Sequence, residues 1–231
     1  MIIGPYAYLM IFAFLIALFA QLKISGNYKK YSRIPAKRNV TGKDVAEYIL
    51  RVNALEYIKV TIIEQELGDH YDPKEKVLRL SPDVYNETSI ASISIAAHEA
   101  GHALQDSQNY AWMKFRAALF PVASFGSQLG IILVMVGLFL LTLSVIYGEY
   151  IAIVGIILFI FYVLFTLLTL PVEFNASKRA LEILTMSGYL YPDEIPGAKA
   201  MLGAAAFTYV AAALVAILQL LQFVLIFLRR R

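Results

Sequence analysis

No cysteine occurs among the 231 residues. This excludes disulfides and thiolate metal ligands and leaves His, Asp and Glu as the side chains able to hold a metal. It says little about compartment, because reducing and oxidising surroundings both tolerate a chain without thiols. Charge is scarce as well: Asp, Glu, Lys and Arg make up 16% of the chain, against about 25% in soluble domains. A net charge of +3, with no run of interleaved Arg and aromatic residues, offers no footing for nucleic acid. Histidine is limited to three residues, His70, His98 and His102. No internal repeat and no low-complexity segment occurs. What remains is 59% hydrophobic with a mean hydropathy of +0.65, the balance of a membrane protein.

Four apolar stretches are long enough to cross roughly 30 Å of hydrocarbon as helices. They run from Ile2 to Leu22, Leu129 to Ile146, Ile151 to Leu170 and Ala204 to Leu228. The first lacks the positive n-region of a secretory signal and is too long for its apolar part, so it is expected to stay as an anchor. Only Tyr147 and the run Gly148-Glu149-Tyr150 separate the second and third stretches, which predicts a tight helical hairpin. The expected organisation is an anchor over 1–23, a polar α+β domain over 24–128, a transmembrane hairpin over 129–170, a membrane-proximal helix over 171–203, and a fourth transmembrane helix with a basic end over 204–231. Residues 23–128 hold 14 Lys and Arg, 171–203 hold three, and Arg229-Arg230-Arg231 supply three more. Six of the first group (Lys23, Lys29, Lys30, Arg33, Lys37, Arg38) directly follow the first span, so the positive-inside rule puts the polar domain in the cytoplasm.

Within the polar block, Thr41-Gly42-Lys43-Asp44 reads as a capping box opening a helix, with Val45, Ile49, Val52 and Leu55 at helical spacing. Tyr57 to Glu64, rich in β-branched residues, predicts a strand. Gly68 to Pro73 reads as a turn, and Lys76 to Ser81 as the second strand of a hairpin. A helix is expected from near Asn86 or Thr88 to about Asp106.

That last helix carries His98-Glu99-Ala100-Gly101-His102, the spacing H-E-x-x-H. Residues four apart share a helix face, so both imidazoles can reach one cation while Glu99 stands close enough to reach a water beside it. Small residues surround the pair (Ala96, Ala97, Ala100, Gly101, Ala103), leaving room for close approach. Catalytic zinc keeps three protein ligands and one open position. For the third ligand the residues offer two candidates, His70 in the turn before the motif helix and Glu173 in Leu170 to Leu184, a helix leaving the third span. Pro171 is expected to kink or break that helix. Gly126 and Gly130 fit G-x-x-x-G and are read as packing within the molecule. Gln219 and Gln222 are expected to bond to neighbouring helices.

His98 to His102 followed by Glu-Phe-Asn-Ala-Ser at 173–177 resembles the gluzincin metalloproteases. The stretches His70–Tyr85, His98–Gln105 and Pro171–Leu181 are similar to the YugP-like membrane zinc peptidases, and more distantly to the HtpX and CAAX-prenyl proteases. With the four spans, the resemblance covers nearly the whole chain and favours a prokaryotic source. It implies an α-helical membrane protein with about four transmembrane helices and a small gluzincin-like α+β domain. It implies one zinc per chain held by His98, His102 and Glu173, with Glu99 as general base. The HtpX-like second motif has Asp four residues after its Glu. Here Ser177 stands there, able to hydrogen-bond but not to act as a fixed carboxylate. Val77, Leu78, Arg79 and Leu80 resemble the edge strand that binds extended substrate. His70, Tyr71, Tyr189 and Arg179 are the candidates for stabilising an oxyanion, with Arg179 expected to pair with a carboxylate instead.

The expected function is an integral-membrane zinc endopeptidase acting on extended segments of membrane or membrane-proximal proteins. Its partners would be the bilayer and peptide substrates, with no nucleic acid. A catalytically silent zinc-binding membrane adaptor is the alternative, although Glu99 has no duty in a purely structural zinc site. A metal transporter would need ionisable residues inside its spans, and the second and third spans contain none.

Overall fold

In the computed structural model, which describes residues 6–230, the elements in chain order are α1 (Ala7–Tyr31), α2 (Gly42–Val52), β1 (Lys59–Ile62), β2 (His70–Asp72), β3 (Val77–Leu80), α3 (Pro82–Asn86), α4 (Ile90–Ser107), α5 (Ala111–Thr142), α6 (Tyr147–Met186) and α7 (Ile195–Arg230). Helices α1, α5, α6 and α7 are each long and apolar enough to cross a membrane. With the small sheet, this is the architecture of a helical membrane protein bearing a small α+β domain. The expected start of the first span, Ile2 to Pro5, and the last residue of the Arg triplet lie outside the described residues. Two units separate by their internal packing. One comprises Gln21–Met113 and Pro171–Phe207; the other comprises the chain up to Ala20, Lys114–Leu170 and the chain from Thr208. Residues 114–128, read from sequence with the polar block, thus group with the apolar helices. Nothing in that stretch stops a helix: Pro121 is accommodated inside α5.

In the apolar unit, α5 and α6 approach through glycines. A Cβ on Gly126 would stand 2.2 Å from the Leu158 carbonyl oxygen, and one on Gly130 would stand 3.0 Å from that of Gly155. The G-x-x-x-G pair therefore serves packing within the molecule, as expected. The turn between these helices falls at residues 143–146, where Ser144 adopts φ of 59°. Gly148, expected in the turn, is already inside α6, where a Cβ would meet the Leu141 nitrogen at 2.7 Å. Phe159, Val134 and Phe223 centre an apolar cluster of this unit. Gln219 bonds to Gln222 on its own helix rather than to a neighbour (3.0 Å).

In the other unit the capping box forms as expected: Asp44 N–H donates to Thr41 Oγ1 (3.1 Å) and Thr41 N–H to Asp44 Oδ2 (2.9 Å). Val45 and Ile49 are fully buried beneath it. The sheet differs from the expected two-strand hairpin. Its order is β1-β3-β2, with β1 parallel and β2 antiparallel to β3. The hairpin partner of β3 is the short β2, because Asp72 Oδ1 accepts from the backbone N–H groups of Lys74 and Glu75 and closes a turn between them. Lys76 completes the turn at φ of 54°. β3 keeps its alternation, with Leu78 and Leu80 at 0% exposure. Ser81 ends the strand and the short α3 follows. Ser89 then caps α4 by accepting from Ser92 N–H (3.0 Å). Almost every side chain of α4 from Ile90 to Gln105 is buried, as suits a helix of Ala, Ser and Gly with a small residue on nearly every face.

Candidate metal centre

Successive turns of α4 place His98, Gly101, His102 and Gln105 on one face, because residues three and four apart are neighbours on a helix. That face meets the segment of α6 carrying Glu173, Ala176 and Ser177. The approach depends on Gly101: a Cβ there would lie 2.9 Å from the Ala176 carbonyl oxygen. The helix α6 runs unbroken through Pro171, so the break expected there is absent. Proline withholds its own N–H and crowds the carbonyl one turn back, yet the ladder on either side carries the helix on to Met186.

The close approach brings Glu173 Oε2 to 3.2 Å from His98 Nε2 and 3.5 Å from His102 Nε2. The three residues offer ligand atoms within 4.8 Å of one another, and all three are buried. A tetrahedral zinc with bonds near 2.0–2.2 Å separates its ligand atoms by about 3.3 Å. Two imidazole nitrogens and a carboxylate oxygen at these separations fit that ion, and thiolate is not available. Of the two candidates for the third ligand, Glu173 is the residue brought to the histidines.

Each imidazole is held from behind. Ser177 Oγ lies 3.2 Å from His98 Nδ1, and Gln105 Oε1 lies 2.9 Å from His102 Nδ1. In both rings Nδ1 is engaged and Nε2 faces Glu173, the arrangement that metal-binding histidines use. Glu99 is held by the backbone of β2: Tyr71 N–H donates to its Oε2 at 3.1 Å. Burial pushes the Glu99 carboxyl above the usual carboxylate range, against the opposing pull of His98 and His102. For His102, burial works against the charged ring, but Glu173 and Glu99 prevail and raise its pKa. The pocket as built favours positive charge at its centre.

The remaining candidates fall in different places. His70 opens β2 rather than lying in a turn, with Nδ1 2.7 Å from the Gly68 carbonyl oxygen. Tyr71 turns its phenol to Asp106 (2.7 Å), and its hydroxyl stays protonated because burial and that carboxylate both raise its pKa. Tyr189 packs edge-on against Tyr48, with ring centroids 4.9 Å apart. Arg179 does not take the carboxylate expected for it; it donates to Asn175 Oδ1 (2.7 Å) and Gln108 Oε1 (2.6 Å). Val77, Leu78, Arg79 and Leu80 form the central strand, flanked on both sides, so they cannot receive a further strand. The free edge beside Glu99 belongs to β2. Gln105 and Asn175 were missed by sequence reasoning. The available signal was spacing: Gln105 is seven residues after His98 on an otherwise small-residue helix.

Residues 6–228 match the model of a family described as "Putative neutral zinc metallopeptidase". Over 226 residues, 98% of both chains, the sequence is 44% identical to the Bacillus subtilis (strain 168) protein named "Putative membrane protease YugP". No solved structure matches the chain.

Proposed function

The chain belongs to the neutral zinc metallopeptidase family, and from that premise we propose that it is an integral-membrane endopeptidase of the gluzincin type. His98, His102 and Glu173 are assigned to one zinc per chain. Zinc bound there supplies a Lewis acid that acidifies water and polarises a peptide carbonyl. Glu99 takes the proton of the attacking water and returns it to the departing amine. The Tyr71 N–H fixes the rotation of that carboxylate, so the proton acceptor is in place before substrate arrives.

Substrate is assigned to the free edge of β2 in extended form. On an antiparallel strand the N–H and C=O of one residue point to the same side. Tyr71 N–H is directed at Glu99, so the Tyr71 carbonyl lies along the same edge, an acceptor for a peptide N–H next to the reacting groups. Glu173 follows the apolar run Ile151–Leu170 by three positions on one helix, which supports substrates cleaved close to the bilayer surface. The excess of Lys and Arg after the first span supports a cytoplasmic site.

The observation that carries the reading is the convergence of His98, His102 and Glu173 with Glu99 beside them. The test pairs metal content with hydrolysis of an unstructured protein such as casein, using detergent-purified wild type and Glu99→Gln. Both forms are expected to hold about one zinc, and only the wild type to cleave. Zinc in both without cleavage by either would favour the silent adaptor. Absence of zinc from both would overturn the ligand assignment.

A further inference from the structure

Gln105 has no exposed surface and lies in the core between α4 and α6. Its amide makes three hydrogen bonds: Nε2 donates to the Val172 carbonyl oxygen (2.8 Å) and to Asn175 Oδ1 (3.0 Å), and Oε1 faces His102 Nδ1 (2.9 Å). The orientation of this amide follows from chemistry rather than choice. A backbone carbonyl only accepts, so the atom facing Val172 must be the NH2 group. The same holds at Asn175. Its Oδ1 accepts from Arg179 Nε at 2.7 Å, and a guanidinium has only donors, so oxygen and not nitrogen must face Arg179 and Gln105. With both Gln105 N–H groups directed at α6, the atom left for His102 is an oxygen. A carbonyl oxygen can only be matched by an N–H, so Gln105 favours the proton on Nδ1 and frees the Nε2 lone pair for a cation held between His102 and Glu173.

We propose that Gln105 is the positioning residue that sets the tautomer of His102, and that α6 dictates it through Val172 and through Asn175, itself oriented by Arg179. The helix that contributes Glu173 thereby also presents the second imidazole in its ligating form. Zinc affinity and the docking of α6 on α4 are then linked by one side chain. This goes beyond His98, where Ser177 has a hydroxyl that can donate or accept and enforces no tautomer. The inference rests on the assignment of His102 as a ligand; without a cation the Glu173 carboxylate, 3.5 Å from Nε2, competes with Gln105 for the ring proton.

The test uses full-length protein in detergent, with Gln105→Leu, Asn175→Leu, Asn175→Asp and the double variant Gln105→Leu/Asn175→Leu. The first readout is the imidazole 15N spectrum of the metal-free protein at alkaline pH, which three histidines keep simple to assign. Wild-type His102 is expected to hold a larger share of the Nδ1–H form than Gln105→Leu, in which only the Glu173 carboxylate at Nε2 is left to take the ring proton. The second readout is zinc affinity by competition with a chelator. Gln105→Leu is expected to lose about 10–100-fold, and Asn175→Leu about 3–10-fold, the worth of one neutral hydrogen bond. Asn175→Asp, which still accepts from both neighbours, should lose less than Asn175→Leu. In the Gln105→Leu background, Asn175→Leu should cost nothing further, because its effect passes through Gln105.

Circular dichroism of the metal-free proteins reports folding. Should Gln105→Leu fail to fold, the tautomer and affinity of Asn175→Leu against Asn175→Asp decide the matter alone. An unchanged share of the Nδ1–H tautomer in Gln105→Leu, or an undiminished cost of Asn175→Leu in the double variant, would overturn the proposal. Wild type that binds no zinc but shows the tautomer shift would remove the peptidase reading and leave the hydrogen-bond relay standing.

Discussion

At the scale of single residues, the two histidines of the motif differ in what stands behind them. His98 leans on Ser177 at 3.2 Å, in the position where the similar HtpX-like motif has Asp. Ser177→Ala should remove the only orienting group proposed for that ring and weaken zinc binding about tenfold, measured by chelator competition. Ser177→Asp should hold zinc at least as tightly as wild type, because a carboxylate makes the imidazole a stronger donor to metal. An equal loss in both variants would mean that the serine matters for packing rather than for His98. Glu99 shows the reverse economy: its partner is a backbone N–H, which no side-chain substitution at Tyr71 removes. Tyr71→Phe deletes only the phenol bond to Asp106 and should leave the rate of hydrolysis per zinc unchanged.

At the scale of elements, the site is a meeting of two helices at a glycine. Gly101→Ala would press a methyl to within 2.9 Å of the Ala176 carbonyl oxygen, and backbone cannot move aside as a side chain can. Overpacking of this kind costs about 1–3 kcal/mol. Gly101→Ala is therefore expected to lower both the thermal midpoint and the zinc affinity, whereas Ala103→Gly, on another face, should lower the midpoint with zinc affinity retained. The start of α2 offers a control remote from the metal ligands. Asp44→Ala removes the carboxylate half of the capping box, leaves the backbone N–H of residue 44 bonded to Thr41 Oγ1, and should cost about 0.5–1 kcal/mol of stability with activity per folded molecule preserved. These elements were unequally legible. The capping box of α2 and the extent of α4 could be read because their signals are local. The pairing of β3 could not, since β1 is the longer β-branched run and competes for the same partner, while β2 is only three residues long.

At the scale of the whole molecule, the absence of cysteine makes sidedness directly measurable. Single substitutions Glu56→Cys, in the polar unit, and Glu149→Cys, at the start of α6, each place one thiol on an otherwise unreactive chain. With a membrane-impermeant maleimide, Glu149→Cys should label in intact cells and Glu56→Cys only after permeabilisation. The reverse pattern would place the proposed active site outside. The glycine contacts of α5 and α6 belong to this scale too. Gly126→Leu would drive a side chain into the Leu158 carbonyl oxygen and should reduce the yield of folded protein from detergent.

Local chemistry in the sequence determined the membrane class, the four apolar helices, the capped helix α2 and the pair of imidazoles with Glu99 between them. Each depends on residues within a turn or two of one another, where spacing alone sets geometry. Sequence could nominate Glu173 but left His70 beside it as a bare alternative, because a ligand 71 positions after His102 is tied to it only through the packing of α6 on α4. Tertiary structure decided that contact, the central place of β3 that removes it as a substrate edge, and the use of Arg179 to orient an amide rather than to pair with a carboxylate. It also brought in Gln105, whose meaning lies in two acceptors on another helix. Hydrogen-bond partners across helices carry no periodicity, so no pattern in the chain announces them.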